Sequence, residues 1–132
     1  MTLLLLDTTF LIDAERNDDD LDELVADTDD VAIAAITVAE LLVGVELASP
    51  KLRGSRQDYV DAIVGSIPVL SYDVAIATEH AALLASVRTA GRPRGAHDLI
   101  IAATARATKR TIVSADRKAF DDLPKVTAVD HR

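Results

Sequence analysis

No cysteine occurs in the 132 residues, which excludes disulfides and thiolate metal sites and suits a reducing cytoplasm. Tryptophan is also absent, and the aromatic complement is two Tyr and two Phe, so stacking platforms for single-stranded bases are not expected. No apolar run reaches the length of a membrane span. The amino terminus lacks the basic segment of a signal peptide, and Asp7 cuts its apolar run short. A cytoplasmic protein with no membrane partner is the expectation. What is present is rich in Ala, Val, Leu and Ile, the composition of helices packed on a sheet. The length suits one domain, residues 1–132, with a core that stands without covalent staples.

The formal net charge is −8, but it is unevenly spread. Residues 1–50 carry 13 acids and one base, whereas residues 51–132 carry 13 bases and 9 acids. Eight of those bases fall within 88–118, against Asp98 and Asp116 alone. A basic segment in an acidic protein can meet a phosphate backbone or be solvated surface.

Four leucines, Leu3–Leu6, read as a strand buried on both faces of a parallel sheet. A short helix follows to about Arg16, then a second whose apolar face is Leu21, Leu24 and Val25, closed by Thr28–Asp30. Val31–Ala35 reads as a second strand. Thr37 then opens a helix running to about Ala48, with Glu40 at capping-box spacing. Ser49-Pro50 marks a break before a helix over Ser55–Val64 that turns Tyr59, Val60 and Ile63 inward. Ile67–Leu70 is a strand placed at the sheet edge by Pro68. Asp73 caps a long helix, Ala90–Gly95 is a loop, and the helix opened by His97-Asp98 is apolar all round over Leu99–Ala103, hence central. Thr111–Ser114, a helical turn Asp116–Phe120 and a strand over Val126–Val129 complete an α/β pattern with a parallel sheet of four to five strands.

Four of the 22 acids adjoin stretches that should be buried. Asp7 and Asp116 close strands, Asp98 opens the central helix, and Glu40 projects from the helix after the second strand. In an open α/β sheet all can reach the crevice at the carboxyl ends of the strands. Each has a plain alternative: Asp7 and Asp98 as helix caps, Glu40 as the capping-box partner of Thr37, Asp116 as an Asx-turn residue. As a set they would repel unless a cation neutralised them. All-oxygen donors point to Mg²⁺, with Mn²⁺ possible, as in metal-assisted phosphodiester hydrolysis. Thr8, Thr9 and Ser114 place hydroxyls beside these acids, able to orient a carboxylate or a metal-bound water, although Thr8 would serve equally as a cap. His97 reads as a loop or core residue.

With these acids in view the sequence resembles a PIN domain, of the VapC-type toxins of bacterial toxin–antitoxin pairs. The matching stretches are LLLLDTTFLID, ITVAELLVG, HDLIIAATA and TIVSADRKAF, in order from one terminus to the other. The resemblance implies an α/β/α sandwich and a Mg²⁺-dependent endoribonuclease acting on structured RNA such as tRNA or rRNA. It implies acids at the positions of Asp7, Glu40, Asp98 and Asp116 and a small hydroxyl at Ser114. Asp7, Asp98 and Asp116 are then the metal ligands, and Glu40 holds a second ion or orients water. It further implies a homodimer, inhibited by a cognate VapB-type antitoxin. Arg94 and Arg117 are the expected phosphate contacts. Two other readings stand beside this one: a phosphatase with Asp7 as nucleophile, and a non-catalytic acidic module that docks a basic peptide.

Overall fold

The computed structural model describes residues 2–24 and 26–131, excepting the side chain of Leu24. Five strands, β1 (Leu3–Leu6), β2 (Asp30–Ala34), β3 (Val69–Leu70), β4 (Thr111–Ser114) and β5 (Ala128–Asp130), form one sheet in the order β3-β2-β1-β4-β5. Every pairing is parallel. The leucine run is therefore the central strand. Because side chains alternate across a strand, Leu5, paired with Ala32 and Ile112, faces one side, and Leu6, paired with Val113, faces the other.

Two apolar clusters follow from that alternation. Leu5, Ala32 and Ile112 pack with Ile76, Leu83 and Val87 of α5 (Val74–Ala90) and Leu99 and Ile101 of α6 (Ala96–Thr108). Leu6, Ile33 and Val113 pack with Phe10 and Leu11 of α1 (Thr8–Arg16), Leu41 and Val45 of α3 (Ala35–Glu46), and Val60 and Ile63 of α4 (Pro50–Ser66). The result is the expected α/β/α sandwich. The apolar run of α6 is buried, as a helix without a polar stripe must be.

Several boundaries differ from the sequence reading for local reasons. Pro50 opens α4 at its first turn, where a missing N–H costs nothing, so this helix starts five residues earlier than expected. Thr37 does not open α3; that helix begins at Ala35, and the Thr37 side chain is buried inside it. The second helix, α2, is a single turn, Leu21–Leu24, with a turn at 27–28. Leu21 packs on the α1-side cluster; Val25 and the Leu24 side chain lie outside the described residues. The third strand shrinks to Val69–Leu70 at the edge, and the last shifts to Ala128–Asp130.

Arg110 ties the amino ends of the strands together. Its guanidinium donates to the carbonyls of Leu4 (3.1 Å) and Asp30 (2.7 Å) and pairs with the Asp30 carboxylate (2.9 Å). At the other end, the order of strands reverses on either side of β1, with β2 on one flank and β4 on the other. That switch point opens a crevice at the carboxyl ends of β1 and β4.

Candidate active site

The crevice is built on Asp7, the first residue after β1. Its side chain caps α1 by accepting from the Phe10 backbone N–H (2.8 Å), and its own N–H donates to the Val113 carbonyl of β4 (3.1 Å). The cap expected of Asp7 is real, and it is the same carboxylate that lines the site. Thr9 Oγ1 lies 2.8 and 3.0 Å from the two Asp7 oxygens. Ser114, at the end of β4, donates to Asp7 Oδ2 at 2.6 Å and accepts from the Asp116 backbone N–H at 2.9 Å. A relay therefore runs from Asp116 N–H through the Ser114 hydroxyl to the Asp7 carboxylate, joining the ends of two neighbouring strands. Asp7 is only 2% exposed and Ser114 is fully buried. Burial raises the Asp7 pKa above its ordinary value and the Asp116 charge adds to the rise, against the lowering effect of the Ser114, Phe10 and Thr9 hydrogen bonds.

Thr8, not the cap, stands one residue inside α1. Its hydroxyl donates to Glu40 Oε1 at 2.7 Å and lies 3.3 Å from the Thr37 oxygen. Glu40 thus leans toward the α1 terminus instead of folding back in a capping box with Thr37. Its other oxygen lies 3.4 Å from His97 Nδ1, a contact that sequence reasoning missed. The adjacency of His97 to Asp98 was the available signal, because neighbours at a helix start share one rim of the crevice.

Asp98 sits in the first turn of α6 and is not its cap: that position is Gly95. A Cβ on Gly95 would stand 2.9 Å from Asp98 Oδ2, so the glycine leaves room for the carboxylate. Burial raises the Asp98 pKa; the charges of Glu40, Asp7 and Asp116 raise it further, and His97 opposes them. The charges of Glu40, Asp7 and Asp116 thus all bear on Asp98. Asp116 heads the 3₁₀ turn Arg117–Phe120, and its side chain makes no capping bond there. Behind the relay, His131 seals the site: Nε2 lies 2.9 Å from Asp13 Oδ2, Nδ1 lies 3.4 Å from the Ser114 carbonyl, and the ring meets Phe10 edge-on.

A protein-family model for the PIN domain matches residues 4–126. The chain belongs to the PIN domain family. It is 32% identical over 91 residues, 69% of this chain and 67% of the relative, to the tRNA(fMet)-specific endonuclease VapC of Shigella flexneri. Among solved structures, DNA-bound VapBC of Salmonella typhimurium superposes with a TM-score of 0.88 at 24% identity, over 100% of both chains. FitAcB of Neisseria gonorrhoeae superposes at 0.83 with 28% identity, over 97% of each.

In this PIN domain, among the described residues, no three carboxylate or imidazole groups are drawn together into a ready-made cage for an ion. Asp7 and Asp116 follow the carboxyl ends of β1 and β4, while Asp98 lies in the first turn of α6 and Glu40 in α3. An open set of hard oxygen donors fits Mg²⁺, which keeps several of its waters and takes few protein ligands, better than Zn²⁺.

The basic segment 88–118 does not form one face. Arg94 donates to the carbonyls of Ala119 (3.1 Å) and Asp121 (2.6 Å), bracing the loop before α6. Arg117 lies 3.9 Å from Asp130. Arg106, Lys109 and Arg110 stand at the amino-terminal end of the sheet, away from the acids. Among the described residues, no helix is long and apolar enough to cross a membrane.

Proposed function

We propose that this PIN domain is a Mg²⁺-dependent endoribonuclease, the toxin of a VapBC-type pair. What supports the reading is the Asp7 carboxylate held by Thr9 and Ser114 where the ends of β1 and β4 meet, together with the charges of Glu40, Asp7 and Asp116 that bear on Asp98. Asp7, Asp98 and Asp116 would hold the ion, with Mn²⁺ an acceptable substitute. When bound, the ion offsets charge on the scissile phosphate and lowers the pKa of an attacking water. The protein's own part is positioning. Thr9 and Ser114 fix both oxygens of Asp7, and Thr8 fixes Glu40 so that its second oxygen faces the crevice beside His97. Glu40 would orient a water or take its proton.

Structured RNA is the substrate proposed, on the name of the Shigella relative. Arg94 and Arg117 remain the proposed phosphate contacts at the rim. An antitoxin partner has a surface to meet. Leu42, Val43, Leu47 and Leu52, along α3 and the start of α4, are exposed, Leu47 to 81%, and are the side chains proposed for that contact. A homodimer in the cytoplasm completes the proposal.

Cleavage of a total RNA pool by wild type and Asp7→Asn tests it. The variant should keep the circular-dichroism spectrum and lose cutting; cutting at the wild-type rate in EDTA, or by the variant, refutes the mechanism.

A further inference from the structure

The sheet has a second concave end. At the amino-terminal side of the strands, away from the carboxylates, an open cavity of about 380 Å³ is walled by Arg106, Lys109, Arg110, Lys125 and the threonines 111 and 127. Glu79 is the acid in its wall.

Four cations around one cavity are unexpected in a chain whose net charge is −8. Two are neutralised in place: Arg106 pairs with Glu79 at 2.7 Å, and Arg110 with Asp30 at 2.9 Å. Lys109 and Lys125 pair with no acid among the described residues. Lys109 complements the negative end of α6, where it is the C-cap, but Lys125 stands at no helix terminus. Both lysines take a left-handed backbone, φ 57° in each, a conformation uncommon outside glycine and helped in Asn and Asp by their short polar side chains. The other two such residues in the described chain, Asp18 and Asp122, are of that helped kind.

The Arg110 guanidinium is held in place at this end of the sheet, its Nη atoms meeting the carbonyls of Leu4 and Asp30 and the Asp30 carboxylate.

We propose that this cavity is a phosphate-binding site, separate from the carboxylate crevice. Two unneutralised ammonium groups, a guanidinium fixed by the strand carbonyls, and two hydroxyls suit an anion with several oxygens. The concave wall focuses the positive field in an otherwise negative protein. The phosphate belongs either to a free phosphomonoester or to a nucleic-acid backbone crossing this end of the sheet. The site stands whether or not the acids cut RNA.

Titration of the full chain with inorganic phosphate, in metal-free buffer and read by calorimetry, tests the proposal. Without a cation the carboxylate crevice repels phosphate, so binding there does not interfere. Wild type should show one saturable site. Lys109→Asn with Lys125→Asn should bind about tenfold more weakly, by loss of two charged donors, and Lys125→Asn alone should fall between. Asparagine tolerates the left-handed backbone, so the variants should keep the wild-type spectrum. Lys118→Asn, on the 3₁₀ turn, should bind as wild type does. Absence of saturable binding by wild type, or equal binding by the double variant, overturns the site. Equal loss in Lys118→Asn also overturns it, because that marks a general charge effect. Competition identifies the source: displacement by a 2′-O-methyl oligoribonucleotide assigns the site to backbone phosphate, and displacement by AMP alone assigns it to a free phosphomonoester. None of these readouts involves cleavage, so the nuclease reading can fail without changing them.

Discussion

Replacing Ser114 with alanine removes the one atom that joins β4 to the Asp7 carboxylate. The hydroxyl is fully buried, donates to Asp7 Oδ2 at 2.6 Å and accepts from Asp116 N–H at 2.9 Å. Its loss strands a backbone donor and strips a donor from a buried carboxylate. Orphaning a buried group costs about 1–3 kcal/mol, and a bond to a charged group is worth about 1.5–3. The two share one atom and do not add in full, so a loss of about 3 kcal/mol is expected, a large part of a typical stability of about 5–15 kcal/mol. Urea unfolding at pH 7 reads it directly. In an Asp7→Asn background the charged half of the interaction is gone, so Ser114→Ala should cost about 1–2 kcal/mol less there, the coupling of a double-mutant cycle.

The pH dependence has a definite sign. The folded pKa of Asp7 lies above its ordinary value, so its ionisation destabilises the fold above that pKa, and the penalty is relieved as pH falls through it toward 3.8. Ser114 lowers this pKa; removing it raises the pKa further, and the difference between variant and wild type should shrink as pH approaches 4. A stability change under about 0.5 kcal/mol, or an equal loss in both backgrounds, would refute the relay.

Three further outcomes are expected. Gly95→Ala keeps an allowed backbone but puts a methyl 2.9 Å from Asp98 Oδ2; the carboxylate must swing aside. RNA cutting should fall by about tenfold or more while the melting temperature moves by under about 3 °C, and unchanged activity would show that Asp98 has no fixed seat. Mg²⁺ should stabilise the protein at pH 7 by about 1.4 kcal/mol at ten times its dissociation constant. The stabilisation should weaken as pH falls toward 4, because Asp7 and Asp98, both raised, take up protons before ordinary carboxylates do; equal stabilisation at both values would place the ion elsewhere. Tyr59 donates to the Leu11 carbonyl at 2.7 Å, and burial with the charges of Glu15 and Asp19 pushes its pKa up to about 12. Tyr59→Phe should cost about 1 kcal/mol in urea unfolding without affecting cutting.

Much of this was legible in the residues because the signals were long or doubled. Leu3–Leu6 had no polar break, and only a central strand covers both faces of such a run. The apolar circumference of Leu99–Ala103 likewise required a buried helix. The four acids were singled out by their apolar neighbours, and of them Asp7 is buried at the end of the central strand. What misled was local capping chemistry. Thr37 and Glu40 have the spacing of a capping box, yet β2 runs straight into α3 at Ala35, and burial draws Thr37 inward while Thr8 claims Glu40. The basic run 88–118 is contiguous in sequence, but α6 carries its middle, Arg106 to Arg110, to the amino ends of the strands, away from Arg94, which braces the 3₁₀ turn. The contact of His97 with Glu40 joins residues far apart in sequence, and no periodicity announces such a pair.

Electron paramagnetic resonance of Mn²⁺ added to the full chain tests most directly whether the four acids form one cation site. Bound ion loses the sharp signal of the free aqueous ion. Wild type should take up Mn²⁺ saturably and release it to Mg²⁺, and Asp7→Asn with Asp98→Asn should take up almost none. Equal uptake by wild type and the double variant would contradict the account, because the convergence of these carboxylates would then have no ion to hold.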